Sequence, residues 1–182
     1  MQQSVIKIDE LEFVLYISHR DIQSKIDQMA AEINAHYGQN DLTIFVIMNG
    51  AFMFAADLIR HLQANVNIHF VKVKSYEGLQ STGQVDIALP EVSLANKDVL
   101  IIEDIIDTGK SMHTLMQLLE EKACASLKVA SLLSKPSLRQ HEVQIDYLGF
   151  EIPDKFVIGY GLDYNDQARQ YKDIYQLRPI VK

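Results

Sequence analysis

Apolar residues recur along this chain with two different periods, and each period predicts a different kind of element. Ile22, Ile26, Met29, Ala30 and Ile33 return at the three- and four-residue spacing that keeps side chains on one helical face. Ser18 with Asp21 three positions later resembles a capping box, and Gly38 supplies a stop, so the pattern predicts a helix over about residues 19 to 37. Two largely apolar runs, Leu42 to Met48 and Val99 to Ile102, read instead as buried parallel strands. Asn49-Gly50 is a tight turn after the first run, and Ala51 to Leu62 reads as a second helix. Val66, Ile68 and Phe70 alternate before Val71 and Val73 take the opposite phase, which predicts a strand with a bulge or with a two-sided environment. Further strands are predicted near Val85 to Ala88, Leu127 to Leu133 and Lys155 to Gly159, and a third helix from about Ser111 to Glu121.

Strands that alternate with helices imply an α/β fold: a mainly parallel twisted sheet flanked by helices on both faces. The first residues and the tail from Tyr171 to Val181 lack room in that sheet. They are expected to form a small hood subdomain over the ligand cleft, from about 1–17 and 166–182, with a core of about 18–165. The polar stretch Ser75 to Gln84, with Gly78 and Gly83, reads as a long loop at the edge of the site. A length of 182 residues fits one domain with a substantial core.

Composition narrows the function classes. The apolar runs fall far short of the roughly 18 residues of a membrane span, and the start MQQSVIKIDE lacks the basic and apolar blocks of a secretory signal, so neither a membrane nor secretion is expected. The single cysteine, Cys124, excludes an internal disulfide and suits a reducing cytoplasm. The six histidines show no paired metal-ligand spacing. A net charge of −7 argues against a nucleic-acid surface, so a polyanionic small-molecule substrate must be held by local devices.

The most informative stretch is Val99 to Met112, VLIIEDIIDTGKSM. An apolar strand runs into the acidic pair Glu103 and Asp104, then into the polar loop Asp107-Thr108-Gly109-Lys110-Ser111 and a helix. Ligands of open α/β sheets sit at the carboxyl ends of strands, and a glycine-bearing loop that opens a helix offers N–H groups and a positive dipole end to a phosphate. Two carboxylates would repel that phosphate, so they must face sugar hydroxyls or a divalent cation; a ribose 5-phosphate satisfies both halves. A Walker A loop shares Gly109-Lys110-Ser111, but it requires a glycine where Asp104 stands and is rejected.

This stretch, EDIIDTGKS, resembles the phosphoribosyl-diphosphate motif of the type I phosphoribosyltransferases, and specifically its hypoxanthine-guanine branch. The resemblance continues through Ile47 to Phe54, Lys74-Ser75-Tyr76, Leu133-Ser134-Lys135, Phe150 to Asn165 and Arg169, in order and with matching spacing. It implies the type I phosphoribosyltransferase fold and transfer of a phosphoribosyl group from phosphoribosyl diphosphate to a 6-oxopurine, giving a nucleoside monophosphate and pyrophosphate.

By the same resemblance, Glu103, Asp104, Asp107, Thr108, Gly109, Lys110 and Ser111 take the ribose 5-phosphate, with Asp107 as general base. Asn49, Gly50, Ser75, Tyr76 and Arg169 take the pyrophosphate; Lys135, Phe156, Val157 and Asp163 take the purine; and Glu103, Asp104 and Asp163 hold magnesium. Lysine is a donor only, which favours a 6-oxo group over the 6-amino group of adenine. The resemblance also implies a homodimer or homotetramer and, often, a cis peptide before residue 49. Asn49 itself departs from the family, whose members commonly carry lysine there. A phosphoribosyl-diphosphate-sensing regulator on the same fold is the alternative from another class.

Overall fold

Residues 5–75 and 85–178 are described by the structure, a computed structural model. In chain order the strands and helices are β1 (Val5–Ile8), β2 (Leu11–Ile17), α1 (His19–Tyr37), β3 (Asp41–Met48), α2 (Phe52–Ile59), β4 (Asn65–Ser75), β5 (Val85–Ala88) and β6 (Asp98–Ile106). Then come α3 (Lys110–Glu120), β7 (Ser126–Ser134), β8 (Tyr147–Glu151), β9 (Val157–Ile158) and β10 (Ile174–Leu177).

The larger sheet has the order β5-β4-β3-β6-β7-β8. All neighbours from β4 to β8 run parallel, and β5 joins the edge antiparallel to β4. Parallel strands are covered on both faces, which is why β3 and β6 are apolar without alternation. Leu42, Ile44, Val46, Leu100 and Ile102 face α1 and α2, whose Ile22, Ile26, Ile33, Phe54 and Leu58 are fully enclosed. Phe45, Ile47, Val99 and Ile101 point the other way, onto Met112, Leu115 and Leu119 of α3. Truncating any one of these enclosed side chains to alanine costs about 2–5 kcal/mol.

The start of α1 follows the sequence expectation: Ser18 has extended backbone, its hydroxyl accepts from the Asp21 N–H at 3.3 Å, and Gly38 closes the helix with φ of 58°. The predicted second helix ends three residues early, at Ile59. There the Asn34 side chain takes over the chain end, donating to the His61 carbonyl at 2.9 Å and accepting from the Gln63 N–H at 2.8 Å. Between the two readings of β4, the two-sided one holds. It pairs with β3 without a register shift from Asn65 to Lys72, with Val66, Ile68 and Phe70 on one face and Val71 on the other.

Three strand expectations need correction. The acidic pair does not leave the sheet: β6 continues to Ile106, pairing Glu103 with Ser131 and Ile106 with Ser134. The strand expected over Lys155 to Gly159 shrinks to Val157–Ile158, and its partner is β10, outside the main sheet. The main sheet's edge strand is instead β8, which lacks an apolar run because Gly149 lies flat on β7; a Cβ there would stand 2.3 Å from the Leu132 carbonyl oxygen. A second, antiparallel sheet of order β1-β2-β10-β9 unites the two ends of the described chain around Ile8, Phe13, Ile158 and Tyr175. It also draws on β9, from within the span assigned above to the core. Of the predicted loop from 75 to 84, all but Ser75 lies outside the described residues.

Candidate active site

The carboxyl ends of β3 and β6 meet the loop after β9, and a cleft of about 510 Å³ opens between them. At the end of β3 the Met48–Asn49 peptide is cis. Gly50 then passes so close to β6 that a Cβ on it would stand 1.8 Å from Oδ2 of Asp104, which only glycine avoids. Gly161, at φ of 99°, lies equally close to the Gly50 carbonyl, where an added Cβ would meet oxygen at 2.0 Å. Two glycines therefore let the first turn, the acidic pair and the loop after β9 share one small volume.

Asp107, Thr108 and Gly109 connect β6 to α3, with Gly109 in the left-handed conformation at φ of 82°. The first turn of a helix leaves its N–H groups without carbonyl partners, and here those of Lys110 to Met112 belong to residues lining the cleft. The loop is braced from behind. The Thr108 carbonyl accepts from the backbone N–H groups of both Gln140 and His141, each at 3.0 Å.

Lys135 follows β7 directly, and its N–H donates to the Ile106 carbonyl at 3.0 Å. Its side chain is only 9% exposed although it carries a charge, and its Nζ lies 3.4 Å from Oδ1 of Asp107 and 3.8 Å from Oδ1 of Asp154. The closer pair lacks hydrogen-bond geometry, so the Asp107 Oδ1 is buried without a hydrogen-bond partner. A buried acceptor and a buried cation that do not satisfy each other fit a ligand with both a donor and an acceptor. A purine ring N–H next to a 6-oxo group is such a ligand.

On the other wall, Arg169 donates to the Gly161 carbonyl at 2.7 Å and pairs with Asp163 at 2.8 Å. Glu103 and Asp104 form no ion pair among the described residues. Burial raises the pKa of both carboxyls. For Glu103 the adjacent Asp104 charge adds to the rise; for Asp104 a hydrogen bond with Glu103 and the Arg169 charge partly oppose it. Two desolvated neighbouring carboxylates with no ion-pair partner in contact fit a divalent cation whose remaining ligands are substrate oxygens and water. The described residues contain no preassembled cluster of three or more His, Cys, Asp or Glu ligands, and Asp163 is held by Arg169.

The cleft thus brings together Asn49, Gly50, Glu103, Asp104, Asp107 to Ser111, Asp163 and Arg169, with Lys135 against Asp107. Lys135, Phe156 and Val157 stand outside its lining. Phe156 stands at the start of β9 rather than at the exit of a strand, 47% exposed, with its ring edge-on to Tyr164 at 5.8 Å; Val157 is buried. Ser75 ends β4 opposite Val85, and Tyr76 lies outside the described residues. Sequence reasoning passed over Leu138, Asp154 and Arg139. Nothing in their own spacing marks them.

This arrangement, a glycine-bearing strand-to-helix loop flanked by an acidic pair at the end of a parallel strand, defines a class. Residues 16–165 match the phosphoribosyl transferase domain, and the chain belongs to that family. Three similar proteins carry closely related names. The chain is 41% identical over 167 residues to a hypoxanthine-guanine phosphoribosyltransferase of Staphylococcus epidermidis, covering 91% of this chain and 93% of that one. It is 38% identical over 174 residues to the Bacillus subtilis enzyme of the same name, covering 94% and 96%. The crystal structure of a hypoxanthine phosphoribosyltransferase from Staphylococcus aureus superimposes with a TM-score of 0.85 at 38% identity, covering 91% of both chains.

Proposed function

We propose that this protein joins hypoxanthine or guanine to phosphoribosyl diphosphate, releasing pyrophosphate, as a purine salvage enzyme. The observation that carries this reading is the buried Lys135, a donor-only group 3.4 Å from the unsatisfied Asp107 carboxylate, beside a phosphate loop. Lys135 donates to the 6-oxo group, while Asp107 accepts the ring proton that the attacking nitrogen sheds. Thr108 to Ser111 hold the 5-phosphate through backbone N–H groups and hydroxyls. The bond to C1 of the ribose breaks with oxocarbenium character, so charge must be stabilised on both sides of that carbon. Asn49, Gly50, Ser75, Tyr76 and Arg169 take the pyrophosphate, Arg169 through its planar fork. Phe156 offers the purine an exposed ring face beside Val157, and Asp163 keeps Arg169 oriented. Glu103 and Asp104, with Asp163 nearby, would hold magnesium, which supplies charge neutralisation for the departing pyrophosphate.

The regulatory alternative finds no support among the relatives described above, each of which carries an enzyme name. The substrates are small molecules; the charge of −7 disfavours nucleic acid, and among the described residues no helix is long and apolar enough to cross a membrane. The unpaired Cys124 suits a cytoplasmic setting. The protein works as a homo-oligomer, in which a second copy covers the apolar face formed by Ile68 and Phe70 of β4, 42% and 62% exposed.

Pyrophosphate release measured with hypoxanthine, guanine, xanthine and adenine tests the reading. Hypoxanthine or guanine should turn over fastest and adenine poorly. Faster turnover with adenine than with hypoxanthine would overturn the role of Lys135.

A further inference from the structure

Behind the cleft, a guanidinium occupies a place where an apolar side chain would pack at lower cost. Arg139 is partly buried, and its Nε is enclosed without a hydrogen-bond partner. Leaving a charged group so incompletely satisfied is unfavourable, so its retention calls for a gain elsewhere. Burial lowers the pKa of the guanidinium, and the nearby Asp107 charge opposes that shift.

Its two hydrogen bonds indicate the gain. One Nη2 donates to the Ile106 carbonyl at 3.3 Å and to the Ser134 hydroxyl at 2.8 Å. Ile106 is the last residue of β6 and precedes Asp107; Ser134 is the last residue of β7 and precedes Lys135. One side chain therefore spans the two strand ends that carry the proton acceptor and the purine-reading lysine. We propose that Arg139 is a positioning residue that fixes Asp107 and Lys135 relative to each other, so that one purine can meet both.

This inference rests on the roles given above to Asp107 and Lys135. It separates the purine step from binding of the phosphoribosyl group. The phosphate loop is braced through the backbone N–H groups of Gln140 and His141, which do not depend on the side chain at 139. The Lys135 N–H keeps its bond to the Ile106 carbonyl in either case, so loss of the tether should loosen the Lys135 side chain against Asp107 and leave the loop in place. Misplacement of reacting groups by about 1 Å can lower rates by about 100-fold.

The test is steady-state kinetics of Arg139→Met and Arg139→Lys, varying hypoxanthine and phosphoribosyl diphosphate separately. Arg139→Met keeps the apolar stem that packs near Gly109 and removes the donors. Its kcat/KM for hypoxanthine should fall roughly 10- to 100-fold with a raised hypoxanthine KM, while the KM for phosphoribosyl diphosphate stays within about twofold. Arg139→Lys keeps one donor and should lie between Met and the parent. A folding defect would lower kcat by reducing the active fraction without moving either KM, and if the Met variant does not fold, the Lys variant is read alone. An unchanged kcat/KM for hypoxanthine, unchanged KM values for both substrates, or an equal shift for both, would overturn the proposal. Lys135→Ala measured alongside keeps the two readings apart. If it leaves the hypoxanthine KM unchanged, the assignment of Lys135 falls; if it raises that KM while Arg139→Met behaves like the parent, only the tether falls.

Discussion

Asp107 and Lys135 stand 28 positions apart in the sequence and 3.4 Å apart at the cleft, and their separate identities were legible where their pairing was not. Asp107 lies in a loop whose glycine and hydroxyls announce a phosphate site. Lys135 has no local signal beyond ending an apolar run, and only the parallel pairing of β6 with β7 brings it alongside. The same holds for Gly50 and Asp104, whose contact depends on β3 lying next to β6. Arg139 and Asp154 escaped notice because a charged residue after a strand is ordinarily solvated. A prediction at this scale follows from the unpartnered Oδ1. Asp107→Asn keeps the shape and removes the charge, so turnover should fall by about 10² to 10⁴ with the fold intact. Single-turnover kinetics check it, and an unchanged rate would contradict the role of Asp107 as base.

Among the elements, those with a strong period and an explicit boundary were legible and those at sheet edges were not. Helix α1 has a serine cap, a six-residue buried stripe and a glycine stop, so the predicted and observed limits coincide. Strand β8 buries only part of its length, and β9 is two residues whose partner is near the far end of the chain, so neither has a recognisable rhythm. What secures the loop after β9 is also non-local. Asp57 of α2 accepts from the Tyr160 hydroxyl at 2.5 Å and from Gln23 of α1 at 2.9 Å, and pairs with Arg60. Burial alone would raise the Asp57 pKa, but the Tyr160 and Gln23 hydrogen bonds and Arg60 outweigh it, and the net shift is downward. A carboxyl lowered in the folded state stabilises fully above its unfolded pKa of about 3.9, and that stabilisation is lost as pH falls through the lowered value. Asp57→Asn should therefore cost about 1–3 kcal/mol near neutral pH, with the deficit shrinking in acid. Urea unfolding at a series of pH values measures this; a deficit independent of pH would contradict it.

At the scale of the molecule, the main sheet was readable as α/β because its central strands are buried on both faces. The small sheet was expected as a hood, but its strand pairing could not be read, since it joins residues 5–17 to 174–177. At β4, one face of the sheet stays partly uncovered. Ile68 and Phe70 share the face of Ile44 and Val46, yet α2 packs over β3 and β6 and leaves them exposed. Phe70→Glu should shift the protein from oligomer to monomer in sedimentation velocity at micromolar concentration. A parent protein that sediments as a monomer under the same conditions would contradict the proposed assembly.

The central claim is that one cleft holds the 5-phosphate on the loop from Asp107 to Ser111 while Lys135 reads the 6-position of the purine. A crystal structure of the protein with inosine monophosphate tests this most directly. Phosphate oxygens should lie within hydrogen-bond distance of the backbone N–H groups at the start of α3, and the purine 6-oxo group within hydrogen-bond distance of the Lys135 Nζ. A nucleotide bound with its phosphate away from that loop, or with its 6-oxo group turned away from Lys135, would contradict it.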